Sequence, residues 1–534
     1  MRWFNTATAL FPVLAVSAGA LLLMLHEAVL GARPEPDGGD VDAIVRVRLR
    51  SAIRNAFAVG TLAAAGAGSL VLWLLARRAE ALDPERLASI VERTAGLGGD
   101  RFALLVFATL AIGGSVVLLQ AGGYLRELGI DRGEFAILVL LGVLGGMFLS
   151  AARDMLMIFI GLETLSLGTY ALVAFQRASV RSAEAALKYF LLGSFAAAIM
   201  LFGMALLYGV TGSLSLADVG AALAFGTPGS LEPVAAIGMV MVAAGLLFKV
   251  SAAPFHMWTP DAYEGASTPA TAFMSVVVKT AAFAVLARVL LVAFPHGSAL
   301  SSPPAGWVAI LTGVAILTMF VGSLAGLAQE NVRRLLAYSS IAHAGYALVA
   351  VIVAGAIRSP VPSEVAHVQV EAISGLLYYL LAYTAANAGA LAVVSMCARG
   401  NREATTVSDL AGLAARSPLM ALGLAVCVLS LTGIPPTAGF FGKFYVFRAA
   451  VQADMVPLAV IGVLTSVVAA YYYLRLLVAI YMREADPEEA ATPVPSASGT
   501  LAVLGSSLLV LAAGLFPSRY LSVAAQSVAD MLGL

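Results

Sequence analysis

Long apolar segments separated by short polar stretches recur along the whole chain of 534 residues. About 20 apolar residues are enough for one helix to cross the hydrocarbon core of a bilayer. The pattern therefore predicts an all-α polytopic membrane protein with about fourteen transmembrane helices and no soluble domain. The predicted spans are 9–31, 53–76, 102–121, 134–151, 154–175, 185–210, 232–252, 269–294, 306–328, 335–356, 372–397, 418–447, 457–481 and 499–516. The longest polar stretches, predicted to be loops, are 32–52, 77–101, 398–417 and 482–498.

Two of these spans are interrupted by proline. Span 7 runs through Lys249 towards Pro254, and span 12 contains Pro435 and Pro436 ahead of Lys443. Proline removes a backbone donor and is tolerated at membrane depth only beside protein or a water-filled cavity. Simple proline kinks are the alternative. Paired broken helices flank the ion site in transporters built from repeats, so we expect two repeats, helices 4–8 and 9–13.

This repeat pattern divides the chain into four parts. They are the N-terminal helices 1–3 (1–130), a first repeat (131–294), a second repeat (295–481) and a C-terminal part with helix 14 (482–534).

The arginines in the short loops predict the orientation, because cytoplasmic loops carry an excess of positive charge. From span 5 onward, one set of loops holds Arg177, Arg181, Arg333, Arg334, Arg399, Arg402, Arg416 and Arg483. The opposite set holds Arg358, with Arg448 at a helix end. The first set is therefore expected in the cytoplasm and both termini outside, with Arg333 and Arg334 marking a cytoplasmic helix end.

Composition narrows the class of protein further. The chain is 60% hydrophobic and 12% charged, against about 25% charged residues in soluble proteins. The formal net charge is zero, so nothing points to nucleic acid. The two cysteines, Cys397 and Cys427, are far apart in sequence, and the chain contains neither CxxC nor HExxH. Any redox cofactor is therefore expected on another chain.

Lysine is scarce in this sequence, with four lysines among 31 basic residues. An arginine guanidinium stays protonated in proteins, whereas a buried lysine ammonium can release its proton. The lysine positions therefore indicate sites at which a proton is taken up and released. The four are Lys188, Lys249, Lys279 and Lys443.

Glu163 and Lys249 are predicted to lie at membrane depth. A buried charge needs a partner, and intramembrane acids are usually functional, so we expect Glu163 to pair with Lys249. Ser166 and Tyr170 extend a polar face from Glu163 at i+3 and i+7. A purely structural ion pair between two helices is the alternative for Glu163, and a snorkelling side chain is the alternative for Lys249.

Lys279 ends a stripe with Thr271 and Ser275 at i+4 spacing, which predicts the wall of a hydrated path along span 8. Hydrogen bonds that join helices are the alternative role for these hydroxyls. Lys443 follows the second break and is flanked by phenylalanines. Lys188 begins span 6 near the cytoplasmic arginines, where snorkelling and function are equally good interpretations.

A histidine lies between these lysines in chain order. Ser339, His343 and Tyr346 share a face of span 10, and an imidazole titrates close to physiological pH. His343 therefore suits a relay between lysines, with a satisfied buried histidine as the alternative. His256, beside the first break, is a further accessory candidate. The predicted row is Glu163, Lys249, Lys279, His343 and Lys443.

Three segments resemble the signature of the antiporter-like membrane subunits of respiratory complex I. They are FKVSAAPFHMWTPDAYEG at 248–265, NVRRLLAYSSIAH at 331–343 and GIPPTAGFFGKF at 433–444. Within that family the chain is most similar to the N-type members. Span 12 carries Lys443 where the M-type subunit has glutamate, and no long lateral helix like that of the L-type subunit follows span 14.

The resemblance implies fourteen helices with two inverted five-helix repeats in a bacterial inner membrane. It also implies a proton path through Glu163, Lys188, Lys249, Lys279 and Lys443. FMN, iron–sulfur clusters and quinone then belong to partner subunits of the membrane and peripheral arms, and none to this chain.

Three functions follow as hypotheses. The leading one is a proton-pumping subunit of an NADH:quinone oxidoreductase, coupled to quinone reduction elsewhere. The second is a cation/proton antiporter subunit of the multisubunit sodium/proton type, which would transport sodium without an electron donor. The third is a scaffold for neighbouring subunits, in which alanine replacements of the row would affect stability only.

Overall fold

The computed structural model describes residues 10–30, 41–82, 100–224, 232–294, 306–357, 361–399, 402–484, 491–494 and 496–533. In this part of the chain, thirteen helices are long and apolar enough to cross a membrane. A fourteenth segment is broken into two shorter helices, so every predicted span has a helical counterpart and the predicted fold class is confirmed.

The helices are labelled in chain order. They are α1 Phe11–Leu30, α2 Val41–Leu82, α3 Arg101–Glu127, α4 Glu134–Ala151, α5 Met155–Val173, α6 Val180–Thr211, α7 Glu232–Val250, α8 Thr268–Ala293, α9 Trp307–Leu327, α10 Val332–Ala356, α11 Pro362–Ser395, α12 Pro418–Thr432 with its second half Ala438–Gln452, α13 Val456–Met482, α14 Ala497–Leu515 and α15 Pro517–Leu532. Short helices cover Leu216–Ala224 and Trp258–Gly265.

The predicted break in α7 is present. The helix ends at Val250, and the chain resumes as the short helix Trp258–Gly265. Ser251 has a left-handed backbone with φ of 66°. Protein groups satisfy the opened backbone, since the amide of Ala253 donates to Thr318 Oγ1 at 2.9 Å. Such non-helical backbone is tolerated at membrane depth where protein surrounds it.

The break in α12 is also where the sequence placed it. Its first half ends at Thr432 and is followed by Gly433, whose left-handed φ of 89° favours glycine. The second half begins at Ala438, and the amide of Gly439 donates to Ser430 Oγ at 3.0 Å across the break. The broken helix α12 is the fourth helix of the block α9–α13. The other broken helix, α7, is likewise the fourth helix of the block α4–α8.

The most buried spans are α8, α10 and α11, which form the centre of the molecule. Outer helices such as α6 expose large apolar side chains, for example Phe195 at 68% exposure. Because hydrocarbon surrounds the outer helices, ionisable groups at membrane depth are expected on the inner ones. Lys279 on α8 and His343 on α10 follow this rule.

A buried ion pair closes the far end of α8. Arg288 donates to both carboxylate oxygens of Asp100, at 2.7 and 2.9 Å, and both side chains are at most 4% exposed. Asp100 also caps α3 by accepting from the amide of Ala103 at 2.8 Å. Arg153 lies 3.7 Å from the same carboxylate. One aspartate therefore joins the start of α3 to the end of α8.

Several local predictions were wrong. The stretch 32–52 is not a continuous loop, because α2 begins at Val41 and its charged first turns continue the helix. Residues 397–399, 402–403 and 492–493, within or beside predicted loops, form a three-stranded antiparallel sheet of β1 Cys397–Arg399, β2 Arg402–Glu403 and β3 Thr492–Pro493. The amphipathic α15 was not predicted. Most of the predicted loop 77–101, and Arg358, lie outside the described residues.

Candidate functional site

Lys249 lies in an aromatic cage at the end of α7. Its side chain is buried, and Nζ donates to the hydroxyl of Tyr189 on α6 at 3.3 Å. The ammonium lies 5.1 Å from the ring centre of Tyr189 and 5.2 Å from that of Tyr170 on α5. Ring faces at this distance attract a cation, and the tyrosine hydroxyl can exchange a proton with it.

Glu163 does not form the predicted ion pair with Lys249. The carboxylate interacts with that lysine only through longer-range electrostatics, and its Oε1 is buried without a hydrogen bond from the described residues. Tyr170 lies on the same helix as Glu163, and its ring is 5.2 Å from the Lys249 ammonium, so it belongs to the same cluster as these two residues. The two charged groups are therefore neighbours rather than direct partners.

Lys279 contacts the partner helix α10 directly. Its Nζ donates to the carbonyl oxygen and to Oγ of Ser340, both at 2.5 Å. The hydroxyl of Tyr263 lies 3.3 Å from the same Oγ. The Lys279 ammonium of the block α4–α8 is therefore hydrogen-bonded to a residue of the block α9–α13.

The two hydroxyls of the predicted stripe on α8 bind backbone in this structure. Residues Met274–Val278 form a π-helical turn, so the helix around Ser275 is not the regular α-helix that the prediction assumed. Thr271 donates to the carbonyl of Tyr263 at 2.9 Å, and Ser275 donates to the carbonyl of Ala272 at 2.8 Å. Both hydroxyls are bound to backbone, and only Lys279 reaches across to α10.

His343 is held between two tyrosines. Its Nδ1 is 2.5 Å from the hydroxyl of Tyr379 on α11, and its Nε2 is 3.0 Å from that of Tyr473 on α13. Tyr473 also bonds Ser339 Oγ, so the predicted shared face of Ser339 and His343 is present. A neutral imidazole has one donor and one acceptor nitrogen, and each hydroxyl can take the complementary role.

Lys443 caps the first half of α12. Its Nζ donates to the carbonyls of Leu431 and Thr432 at 3.0 and 2.8 Å, and to Ser466 Oγ at 2.7 Å. The carbonyls at a helix C-terminus carry partial negative charge and favour a cation. The ammonium also lies 5.3 Å from the ring centre of Tyr346. Carbonyls at a helix end therefore stabilise the lysine at the second break, whereas a tyrosine hydroxyl and aromatic rings surround the lysine at the first.

Replacing Gly439 by alanine is expected to separate the two halves of α12. A Cβ at this position would lie 1.8 Å from the carbonyl oxygen of Ser430, so backbone would have to move. The movement would withdraw the carbonyls that bind Lys443. We expect a loss of about 2 kcal/mol or more in unfolding free energy, as for other overpacked sites. Thermal unfolding of the Gly439→Ala protein tests this, with Gly313→Ala as control because its Cβ would meet nothing within 4 Å.

Lys188 lies away from the row, on the outer face of α6. Its Nζ pairs with Glu184 at 2.7 Å and with Asp261 at 2.9 Å, and 46% of the side chain is exposed. Arg334 pairs with the same Asp261 at 2.8 Å. Burial raises the pKa of Asp261, but Lys188 and Arg334 lower it more, so the pKa lies below its ordinary value. Lys188 is thus part of an ion network at the start of α6.

Two other predicted positions have different surroundings from those expected. His256 is half-buried at the α7 break, and none of the described contacts joins it to the lysines. Arg333 does not simply mark a helix end, because it is buried and pairs with Glu403 at 2.7 Å.

Sequence reasoning missed four tyrosines beside the row. Tyr189 bonds Lys249, Tyr379 and Tyr473 bond His343, and Tyr263 bonds Ser340, the partner of Lys279. Each comes from an element other than that of the lysine or histidine it serves. A tyrosine in an apolar span looks the same whether it faces lipid or the centre, so only packing identifies them.

The chain belongs to the family described as NADH:quinone oxidoreductase/Mrp antiporter, transmembrane, whose pattern matches residues 152–469. The resemblance carried by the three signature segments is therefore confirmed. NADH-quinone oxidoreductase subunit N 1 of Sorangium cellulosum is 46% identical over 524 residues, which cover 97% of this chain and 98% of that protein. Subunit N of Trichlorobacter lovleyi is 43% identical and covers 80% of this chain and 84% of the relative.

Two solved structures match the fold over nearly the whole chain. A chain of respiratory complex I from Thermus thermophilus, solved with bound aureothin, superposes with a TM-score of 0.73 at 32% identity. The match covers 96% of this chain and 99% of that chain. A chain of the Mrp complex from Dietzia sp. DQ12-45-1b gives a TM-score of 0.78 at 20% identity, over 99% of this chain and 98% of that one. That second likeness shows the fold alone.

Proposed function

We propose that this chain is the N-type membrane subunit of a proton-translocating NADH:quinone oxidoreductase. Protons move along a row of buried groups: Glu163, Lys249, Lys279, His343 and Lys443. The observation that carries the proposal is that three buried lysines and a histidine are each bound to hydroxyl or carbonyl groups of neighbouring helices. Quinone reduction in other subunits drives the movement.

The first half of the row runs from α7 to α8. Lys249 passes a proton to the hydroxyl of Tyr189, which releases its own proton towards Tyr263. Tyr263 lies next to Ser340 Oγ, which accepts from Lys279. Hydroxyls both donate and accept, so they suit proton transfer between ammonium groups. A change of field at Glu163 alters the charge balance at Lys249 and starts the movement.

The second half runs from α10 to the α12 break. His343 takes a proton at one ring nitrogen and releases one from the other, with a tyrosine hydroxyl on each side. Lys443 then receives a proton beside the carbonyls of Leu431 and Thr432, which stabilise its charged form. Tyr346 lies between the two, 5.7 Å from the His343 ring centre and 5.3 Å from Lys443 Nζ.

The rest of the machinery belongs to other chains under this proposal. FMN, iron–sulfur clusters and quinone are held by partner subunits of the peripheral and membrane arms. Both termini lie on the periplasmic side of a bacterial inner membrane, as the arginine distribution predicts. The repeats 131–294 and 295–481 each contribute one broken helix to the row.

Replacement of Lys249 by arginine tests the proposal. Arginine keeps the charge in the aromatic cage but does not release its proton, so pumping through this subunit should stop while the complex still assembles. The measurement is the number of protons pumped per NADH oxidised by the purified complex in sealed vesicles. Full coupled pumping by the Lys249→Arg complex would refute the proposal, and an effect on stability alone would favour the scaffold.

The antiporter alternative is less well supported. The relatives at 43–46% identity carry the name subunit N, whereas the Mrp likeness is 20% identical and shows the fold alone. Sodium transport by the purified chain without an electron donor would favour the antiporter.

A further inference from the structure

We propose that Glu403, in the connection between α11 and α12, is a positioning residue for proton transfer. It holds α8 and α10 at the register at which Lys279 reaches Ser340. The inference rests on the function proposed for that lysine, and it assigns a task to a residue outside the row.

Glu403 joins two helices through its two carboxylate oxygens. Oε2 pairs with Arg333 Nη1 of α10 at 2.7 Å. Oε1 accepts from Thr268 of α8, at 3.0 Å from the hydroxyl and 3.4 Å from the amide. Only 8% of the Arg333 side chain and 14% of the Glu403 side chain are exposed. The carboxylate is therefore a largely buried bridge rather than a surface ion pair.

The backbone around Glu403 is fixed to α10. The amide of Val332 donates to the carbonyl of Thr405 at 2.8 Å, and the amide of Val407 donates to the carbonyl of Glu330 at 3.0 Å. Strand β2, which contains Glu403, also pairs with β1. Because of these bonds, the segment after β2 moves with the start of α10, and its carboxylate is the part that reaches α8.

The start of α8 is a suitable target for that carboxylate. The first amides of a helix have no partner within the helix and carry partial positive charge, so they attract an anion. Thr268 is the first residue of α8, and both of its donors face Glu403. Arg333 Nη1 also donates to the carbonyl of Ala266, just before α8, at 2.6 Å. Glu403 and Arg333 thus hold the same turn from both sides.

The same two helices meet again at the proton-transferring pair. Lys279 follows Thr268 on α8, and Ser340 follows Val332 on α10. The contacts of Lys279 Nζ with Ser340 are both 2.5 Å long. An axial shift of one residue, about 1.5 Å, would break them. The bridge at the helix starts therefore sets the distance at which Lys279 exchanges its proton.

The test uses Thr268→Val in the intact complex, because this change removes the hydroxyl bond to Glu403 and keeps the ion pair with Arg333. We expect the complex to assemble and the number of protons pumped per NADH oxidised to fall at least about twofold, since a hydrogen bond to a charged group is lost. Thr268→Ser keeps the hydroxyl and should restore the ratio. Thr312→Val is the matched control, because that hydroxyl bonds only the carbonyl of Val308 within α9.

Two results would overturn the inference. One is an unchanged proton ratio in both Thr268→Val and Glu403→Gln complexes. The other is a parallel loss of assembly and NADH oxidation with an unchanged ratio, which means that the bridge only stabilises the fold. The Lys249→Arg complex separates these results from a failure of the proposed function. If Lys249→Arg stops pumping and neither Thr268→Val nor Glu403→Gln alters the proton ratio, only the role of Glu403 is wrong.

Discussion

Proton translocation through this subunit is expected to stop when Lys279 is replaced by methionine. Methionine has a similar length but no exchangeable proton, and it cannot donate to Ser340. The row then loses the group between Tyr263 and His343. Transfer should slow by about two orders of magnitude or more, the usual cost of removing a proton-transferring side chain. The measurement is the number of protons pumped per NADH oxidised by the complex in sealed vesicles.

Arg126→Met is the matched control for this variant. Arg126 is exposed in the last turn of α3 and lies outside the row, so its loss should leave the proton ratio as it is. A normal ratio in the Lys279→Met complex would contradict the role of the lysine. A complex that does not assemble would be examined again as Lys279→Gln, which retains a donor for Ser340.

Loss of the charge on Asp100 is expected to destabilise the protein strongly. In an Asp100→Asn protein the Arg288 guanidinium stays buried opposite a neutral amide, and Arg153 loses its counter-charge as well. Removing one partner of a buried ion pair costs about 3–5 kcal/mol. Thermal unfolding of the purified protein in detergent measures the loss.

Arg448→Gln gives the comparison for that measurement. Arg448 pairs with Glu371, but 45% of its side chain is exposed, so its loss should cost about 1 kcal/mol or less. Equal losses in the two variants would contradict the importance of burial at Asp100.

The pH dependence of the Asp100 contribution has a definite sign. Burial raises the pKa of Asp100, but the charge and hydrogen bonds of Arg288 lower it more, so the pKa lies below the ordinary value of 3.8. Because the folded-state pKa is the lower one, the stabilisation is fully present above that ordinary value and is lost as the pH falls through the lowered pKa. The difference between the native and Asp100→Asn proteins should therefore stay constant through neutral pH.

The helix breaks and the buried lysines could be predicted because they depend on local sequence. A proline inside an apolar span interrupts the helix wherever the span packs, and lysine in such a span must find a polar partner. Both breaks and the burial of Lys249, Lys279 and Lys443 follow from this reasoning. The groups that bind these lysines do not follow from local sequence, because they come from other helices.

The predicted contacts were wrong where they needed distances between helices. An ion pair between Glu163 and Lys249 was predicted because each buried charge needed a partner. In the structure the Lys249 ammonium instead donates to the hydroxyl of Tyr189. The stripe on α8 assumed a regular α-helix, whereas residues Met274–Val278 form a π turn. Local propensities do not specify such a turn, because packing of α8 against its neighbours decides it.

The amphipathic α15 could have been found from the spacing of its apolar residues. Its buried face packs on the C-terminal part of α2 and the start of α3. Ser527 accepts from Trp73 of α2 at 2.8 Å, and Asp530 accepts from the amide of Arg101 of α3 at 2.8 Å. This helix is too short and too polar on one side to stand out as a membrane-length apolar segment.

The bond between Lys279 and Ser340 has a consequence for how this protein can change over evolutionary time. Proteins built from two similar halves can in principle exchange or replace one half while the other keeps its own site. Here an ammonium of the block α4–α8 depends on a carbonyl and a hydroxyl of the block α9–α13. Neither block alone provides both this ammonium and its hydrogen-bond acceptors, so the two blocks are expected to be inherited and altered together.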